Sequence, residues 1–229
     1  MSSSHYVELL KIDNTTERAF YINQAVNANW SVRELKRQKE TGLFLRLAAS
    51  KDKEEVIALS QQNTLVAKPE DINRDSYVFE FLNLPERNHY SKKDLESALC
   101  EHLEHFLLEL GKGFTFVGRQ YRITLNNSHY KVDLVFYHRI LRCFVLIDLK
   151  INDVKHQDIG QMNIYMGYFA AEENIEGDNP PIGIILSKDK DELLVKYATY
   201  GIDKNLFVQK YQLYLPNEVE ATLSEQRSL

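Results

Sequence analysis

The sequence predicts an α/β fold, in which a central mixed sheet is flanked by helices and a small helical module precedes it. Two observations lead to this prediction. From residue 91 onward, helix-like and strand-like segments alternate, with three consecutive strands after the first helix. Before residue 63, by contrast, the segments have helical patterns. We therefore expect a helical N-terminal module over residues 1–75 and an α/β domain over residues 76–229.

Helix signals fill the N-terminal module. Residues 13–28 are typical of a short amphipathic helix, and Ser31 with Glu34 forms a capping box that begins another. Gly42 interrupts that second helix, and residues 51–62 suggest a third. A polar helical module suits packing against a second copy of the chain, so we expect a homodimer through it. Contact with DNA is the alternative interpretation.

The α/β domain follows a connector that contains one short extended piece at residues 77–82. Ser91 begins a long helix that we expect to end at Gly111. After it, the pattern predicts strands over 114–125, 132–138, 142–150, 182–187 and 206–216, with helices over 153–174 and 189–201. The last residues form a polar tail.

Two neighbouring strands each carry one acid, Asp133 and Asp148. If these strands form an antiparallel hairpin centred between residues 140 and 141, positions whose numbers add to 281 face each other, and Asp133 faces Asp148. Their Cβ atoms then lie roughly 4.5–5.5 Å apart. Two carboxylates this close repel each other, and a divalent cation is the usual reason for such a pair. Lys150 shares a face with Asp148, because side chains two residues apart on a strand point the same way.

The formal net charge of −5 argues against a nucleic-acid partner for the chain as a whole. The distribution of charge favours a nucleic-acid partner. Residues 112–155 hold eight Lys and Arg but three acids, a net charge of +5, which leaves a net charge of −10 for the other residues of the chain. The basic charge thus lies in the segment with Asp133 and Asp148, as binding to a phosphate backbone requires. Solvated strand edges are the alternative.

Other features exclude several classes of protein. Cys100 and Cys143 are too few and too far apart for a zinc site or a disulfide framework. No secretory signal opens the sequence, and no apolar run approaches the ~20 residues of a membrane span. We therefore expect a cytoplasmic protein without membrane contact.

The segments 109–123, 132–150 and 160–165 together resemble the C-terminal domain of the YhcG-type nucleases, a family of the PD-(D/E)xK superfamily. Residues 29–38 are similar to the N-terminal domain of the same family. The resemblance implies a restriction-endonuclease-like fold and a metal-dependent nuclease. Asp148 departs from the family pattern, which usually has Glu there. The N-terminal module also looks shorter than the family's, so we expect part of that domain to be missing.

The resemblance also implies roles for particular residues. Asp133, Asp148 and the backbone carbonyl of Leu149 would hold Mg²⁺, which Mn²⁺ can replace. Lys150 would orient the attacking water or stabilise the charge that develops on the phosphate, and its action as a base is left open. Gln161 would bond the water or an oxygen of the scissile phosphate.

The superfamily often adds an acid from the helix before the sheet, and helical geometry selects Glu96 among the candidates. At roughly 100° per residue, Glu96 falls within the apolar stripe of that helix, which has to pack on the sheet. A buried acid needs a cation or a polar partner. We therefore predict Glu96 as a third acid of the site, reaching the metal directly or through water, with Glu109 in reserve. An acid favoured only by the helix dipole is the alternative.

Three further residues are predicted to contact nucleic acid. Arg119 and Gln120 are placed to hold the phosphate backbone, or else lie on a solvated strand face. Tyr165 shares a helix face with Gln161, because the two residues are four apart. An exposed Gln beside a core Tyr is the alternative for this pair.

The first functional hypothesis is therefore a Mg²⁺-dependent endonuclease that acts on DNA. The alternative is a nucleic-acid-binding or assembly module on a nuclease-like scaffold, with weak or no catalysis. The intact set of Asp133, Asp148 and Lys150 favours the enzyme, because acids that repel each other have no use without a cation. Nothing in the sequence separates DNA from RNA as the substrate.

Overall fold

The computed structural model describes residues 1–27, 29–48, 68–72, 76–79, 82, 90–189, 191–201 and 204–213. The chain divides into two compact units, one formed by Met1–Leu65 with Leu215–Leu229 and the other by Val66–Tyr214. The helix predicted over 51–62 and the predicted polar tail lie outside the described residues.

The described part of the first unit is helical, and it includes one helix at its start that the sequence patterns did not predict. The helices are α1 (Ser3–Leu10), α2 (Thr15–Asn27), α3 (Val32–Glu40) and α4 (Leu43–Ala48). Ser31 caps α3 by accepting the backbone N–H of Glu34 at 3.1 Å. Gly42, with a φ of 61°, separates α3 from α4. The buried core of this unit contains Leu9, Ile12, Phe20, Tyr21, Leu35, Leu43 and Phe44.

The second unit is built on one mixed sheet, as predicted. Its strands are β1 (Ser76–Val78), β2 (Phe114–Leu125), β3 (Ser128–His138), β4 (Cys143–Lys150), β5 (Ile182–Ser187) and β6 (Leu206–Gln212). The six strands lie in the order β1-β6-β5-β4-β3-β2. β2, β3 and β4 are antiparallel neighbours, whereas β4, β5, β6 and β1 join in parallel.

The β3–β4 hairpin has the predicted register. Paired residues have numbers that add to 281, as in Leu134 with Ile147. The pairing ends there, one residue before Asp133 and Asp148. β4 continues beside β5, whereas β2 and β3 run on together as a two-stranded ribbon to the turn at 126–127. The two acids therefore lie where β3 leaves β4.

Helices cover both faces of the sheet. They are α5 (Lys92–Glu101), α6 (Leu103–Leu110), α7 (His156–Tyr168), which continues as a π-helical turn at Phe169–Glu173, and α8 (Glu192–Ala198). Buried side chains of α5 and α6 pack on one face, and those of α7 pack on the other. A short 3-10 helix, Pro69–Ile72, precedes β1. No helix within the described ranges is both long enough and apolar enough to cross a membrane.

The prediction of one long helix from Ser91 to Gly111 was wrong, because the segment forms two helices. Ser91 caps α5 and accepts the N–H of Asp94 at 3.2 Å. The chain then leaves helical geometry at His102, which has a φ of −105° and a ψ of 33°. The apolar pattern does not reveal this break, since side chains from both helices pack into the same core: Leu95, Leu99, Phe106 and Leu110.

Candidate active site

The two acids lie at a local edge of the sheet, which forms where β3 leaves β4, and each is 3% exposed. Asp133 Oδ2 accepts the backbone N–H of Leu149 at 2.7 Å, which holds the β3 carboxylate against β4. The N–H and C=O groups of one strand residue point to the same neighbouring strand. The carbonyl of Leu149 therefore points to this edge as well, next to Asp133 and Asp148.

The surroundings of Asp133 oppose its ionisation. Burial raises the pKa of this carboxyl most, and the charge of Asp148 and a hydrogen bond with it raise the pKa further. Lys92 lowers the pKa of Asp133, but its effect is smaller than the combined effect of burial and Asp148. Two buried carboxylates of this kind are stabilised by a cation that contacts both.

Lys92, at the start of α5, supplies positive charge to both acids. Its Nζ atom lies 2.6 Å from Asp133 Oδ2 and 3.4 Å from Asp148 Oδ1. Sequence reasoning missed this residue, which comes directly after the N-cap Ser91. One signal could have found it: a lysine in the first turn opposes the positive end of the helix dipole and so needs acidic partners elsewhere.

Lys150 lies on the same side of β4 as Asp148. Its Nζ atom is 2.8 Å from Asp148 Oδ2 and 2.7 Å from Asp158 Oδ1. Burial lowers the pKa of Lys150, but the charges and hydrogen bonds of Asp148 and Asp158 outweigh burial and raise the pKa above its ordinary value. These partners favour the charged form of Lys150, which suits an electrostatic role.

Asp158 is a second residue that sequence reasoning missed. It lies in the first turn of α7. One of its oxygens accepts the backbone N–H of Lys155 at 2.8 Å, and the other contacts Lys150. Asp158 thus caps the helix and orients Lys150 at once. An acid in a first turn is a capping signal, and the local pattern contains nothing that connects it to Lys150.

Glu96 is buried on α5, with 8% of its surface exposed. Gln120 connects it to the acid pair, because its Nε2 donates to Glu96 Oε2 at 2.6 Å and to Asp133 Oδ1 at 3.2 Å. Gln120 has a φ of 50°, which is uncommon for a residue other than glycine. The structure therefore brings Gln120, predicted to contact nucleic acid, to the acids instead. Glu109, the reserve candidate, lies on α6.

The oxygen atoms at this edge suit a Mg²⁺ ion held by few protein ligands. Mg²⁺ commonly takes one or two carboxylates and completes its shell with waters and substrate phosphates. Asp133 and Asp148 provide two carboxylates, and the carbonyl of Leu149 points to the same place. Within the part of the chain that the structure describes, no three His, Cys, Asp or Glu side chains converge closely enough to hold one ion. Glu96 reaches the pair through Gln120 in this geometry.

Gln161 and Tyr165 share one face of α7, and Gln161 Nε2 donates to the hydroxyl of Tyr165. That hydroxyl donates in turn to the backbone carbonyl of Lys131 at 3.0 Å. Burial, followed by the negative charge of Asp148, raises the pKa of Tyr165 to about 12. Tyr165 is fully buried and presents no surface to nucleic acid. The structure therefore places it as a support for Gln161, and not at a nucleic-acid interface.

The β2–β3 ribbon, residues 121–132, has two different faces. One face packs on α7 through the side chains of Tyr121, Ile123, Tyr130 and Val132. The opposite face is exposed and carries two cross-strand pairs, Arg122 with Lys131 and Thr124 with His129. The ring of His129 contacts both neighbours, at 2.9 Å from Arg122 and 3.1 Å from Thr124 Oγ1.

The exposed face of the ribbon carries positive charge and no acidic side chain. Residues 110–132 contain no Asp or Glu. Among the residues that the structure describes, no ion pair engages Arg122 or Lys131. Arg119, at the base of the ribbon, is also exposed, and its charge lowers the pKa of the Cys100 thiol against the larger effect of burial.

Comparisons with known proteins agree on one family. The family model described as the YhcG PDDEXK nuclease domain matches residues 70–227, and the one described as the DUF1016 N-terminal domain matches residues 1–46. A curated relative from Escherichia coli (strain K12), named "Putative nuclease YhcG", is 38% identical over 215 residues, which is 94% of this chain. The chain spans 57% of the length of that relative.

Three solved structures show a more distant likeness. The crystal structure of a repair endonuclease from Pyrococcus abyssi is 17% identical, with a TM-score of 0.37, over 58% of this chain and 50% of that one. The structure of EndoMS in apo form is 16% identical, with a TM-score of 0.37, over 54% and 47%. The structure of an EndoMS-dsDNA2 complex is 15% identical, with a TM-score of 0.38, over 58% and 50%.

Proposed function

Because the chain belongs to the YhcG PDDEXK nuclease family, we propose that it is a metal-dependent nuclease that hydrolyses phosphodiester bonds in DNA. The observation that carries the proposal is the buried pair of Asp133 and Asp148, with the ammonium of Lys150 in contact with one of them. Two buried acids at the edge of a sheet are unfavourable unless a cation joins them. A divalent cation in this position could activate water and stabilise the charge that develops during phosphodiester hydrolysis.

Each residue of the site has a chemical task in this proposal. Asp133, Asp148 and the carbonyl of Leu149 would hold Mg²⁺ or Mn²⁺, since both ions accept oxygen ligands. The bound ion would supply an activated water and would neutralise charge on the phosphoryl oxygens. Lys150, kept protonated by its two acidic partners, places a fixed positive charge beside the phosphate. Gln161, oriented by Tyr165, offers an amide to the water or to a phosphate oxygen.

The exposed face of the β2–β3 ribbon supports nucleic acid as the substrate. It begins at Lys131, two residues from Asp133, and runs for roughly 14 Å to the turn at 126–127, at about 3.4 Å per residue. One strand of a duplex carries a phosphate about every 3.4 Å along the helix axis. A face of this length would span the axial rise of about four nucleotides from the cleavage site.

The second candidate function is a binding or assembly module without catalysis. Such a module would use the cationic face of the ribbon in the same way. It would not need Asp133 and Asp148 buried side by side, nor Lys150 held in place by Asp158. These contacts favour the enzyme over the binding module.

The test is digestion of a panel of single-stranded, duplex, nicked and branched DNA, with matching RNA, in the presence of Mg²⁺ or Mn²⁺. We expect cleavage of DNA that requires the ion and disappears in the Asp148→Ala variant. Binding without cleavage under every condition would support the binding module instead. Cleavage of RNA alone would contradict the assignment of DNA as the substrate.

A further inference from the structure

We propose that Lys92 is a tethered cation that competes with the divalent ion for the position between Asp133 and Asp148 and is displaced when the ion binds. The inference rests on the proposed function, because it takes these two acids as ligands of the ion. Lys92 would then be a positioning residue that sets how tightly the site binds its ion. Four features of the structure support this assignment.

The first feature is the position of the ammonium group. Lys92 Nζ lies 2.6 Å from Asp133 Oδ2 and 3.4 Å from Asp148 Oδ1, so it contacts one oxygen of each carboxylate. A Mg²⁺ ion bound to the same carboxylates has its oxygen ligands at about 2.0–2.1 Å and needs the same space. Because two cations this close repel each other, the ammonium has to leave when the ion enters.

The second feature is the place of Lys92 in its helix. It is the first residue of α5, where the exposed N–H groups already carry positive partial charge. A lysine at this end is unfavourable for the helix. The contact with two buried carboxylates offsets that cost.

The third feature is a route by which the ammonium can leave. The side chain of Lys92 is 38% exposed, whereas those of Asp133 and Asp148 are each 4% exposed. A lysine stem has four rotatable carbons and reaches solvent from such a position without a change in the backbone. The acids can therefore stay in place while one cation is exchanged for another.

The fourth feature is the contrast between the two lysines of the site. Lys150 is 20% exposed and is held on two sides, by Asp148 and by Asp158. Asp158 does not bind the ion in the proposed site, so it retains Lys150 after the ion has bound. Lys92 contacts the same two carboxylates that the ion uses. Lys150 is thus the resident cation, and Lys92 is the exchangeable one.

The experiment is titration of the full chain with Mn²⁺ by isothermal titration calorimetry, without nucleic acid. We expect Lys92→Met to bind Mn²⁺ roughly tenfold more tightly than the wild type, which corresponds to about 1.4 kcal/mol. Lys92→Arg keeps the competing charge and should retain the weaker affinity. Lys93→Met removes the same charge one residue away, on an exposed position, and should change the affinity less than about twofold.

Thermal melting in buffer without divalent ions gives a second measurement. Lys92→Met should melt at a lower temperature than both the wild type and Lys93→Met, because Asp133 loses its contact with an ammonium group and Asp148 keeps only that of Lys150. Added Mn²⁺ should then raise the melting temperature of Lys92→Met more than that of the wild type. If Lys92→Met does not fold, Lys92→Gln allows the same comparison with a polar side chain.

The outcomes separate this inference from the proposed function. If the wild type binds Mn²⁺ and folded Lys92→Met binds it equally or more weakly, Lys92 does not compete with the ion, and the metal site itself stands. If neither the wild type nor any variant binds Mn²⁺, the proposed metal-dependent nuclease is contradicted.

Discussion

At the scale of single residues, the two acids Asp133 and Asp148 can be tested one at a time. Asparagine at either position removes the negative charge with little change of shape. We expect Asp133→Asn and Asp148→Asn each to reduce ion-dependent cleavage by roughly 100-fold or more, because the ion supplies several kcal/mol of transition-state stabilisation. In metal-free buffer Asp133→Asn should melt at the same temperature as the wild type or higher, since the repulsion is relieved, whereas Asp148→Asn also loses its contacts with Lys92 and Lys150. Wild-type cleavage by either variant would remove the argument for a metal site.

The raised pKa of Asp133 predicts a specific dependence on pH. An acid whose pKa is raised on folding contributes stability that is complete below its unfolded pKa, at about 3.9, and is lost as pH rises through the folded pKa. Asparagine at this position has no charge at any pH. In metal-free buffer, the melting temperature of Asp133→Asn should therefore exceed that of the wild type by more at about pH 8 than at about pH 5. Equal differences at the two pH values would contradict this.

Glu96 and Glu101 lie on the same helix but in different surroundings, which makes them a matched pair. Glu96 is buried and bonded to Gln120, whereas Glu101 is exposed. Because Gln120 also holds Asp133, we expect Glu96→Gln to reduce turnover roughly 10-fold to 100-fold, the range typical of residues that orient metal ligands. Glu101→Gln should leave turnover unchanged. Equal turnover in the two variants would show that Glu96 has only a structural role.

The β2–β3 ribbon is the element whose charge can be tested apart from the chemistry. We expect replacement of both Arg122 and Lys131 by alanine to weaken DNA binding and to reduce the slope of log affinity against log salt by roughly 1.8, at about 0.9 for each lost phosphate contact. Fluorescence anisotropy at several salt concentrations measures this. Arg139→Ala is the control, since Arg139 is exposed at the opposite end of β3.

A salt slope that is the same in the double variant and in the wild type would show that nucleic acid does not follow the ribbon. If Arg139→Ala lowers the slope as much as the ribbon variants do, binding is spread over the whole domain surface. In that case the ribbon has no special part in it.

For the whole molecule, the N-terminal unit offers a surface that fits the proposed homodimer. Tyr6, Val7 and Leu10 on α1 are 56%, 55% and 70% exposed, and their spacing places them on one side of the helix. We expect light scattering to find a dimer of the wild-type chain, and Leu10→Glu to shift it toward a monomer. Leu193→Glu, on an equally exposed leucine of the other unit, should remain dimeric. A monomeric wild type would contradict the proposal.

Local patterns in the sequence were enough to predict the mixed sheet, the register of its central hairpin and the opposed acids. A strand alternates its faces with a period of two residues, so a symmetric hairpin leaves a single partner for Asp133. Capping behaves in the same way, because Ser31 and Ser91 bond groups three residues away. Hairpin register and helix caps can be predicted from the sequence because each depends on residues that are close together along the chain.

The rest of the site depends on contacts between residues that are distant in sequence. Lys92 and Asp148 are separated by 56 positions, and Gln120 and Glu96 by 24. Lys92 is a polar residue at the start of α5, and Gln120 is a polar residue in β2. The periodicity of the sequence does not indicate which acids these two residues contact. Packing of α5 against the edge of the sheet brings them together, and the positive φ of Gln120 is part of the same arrangement. The sequence alone therefore predicts Asp133 and Asp148 as the acids of the site. The contacts of these acids with Lys92 and Gln120 are decided by tertiary packing.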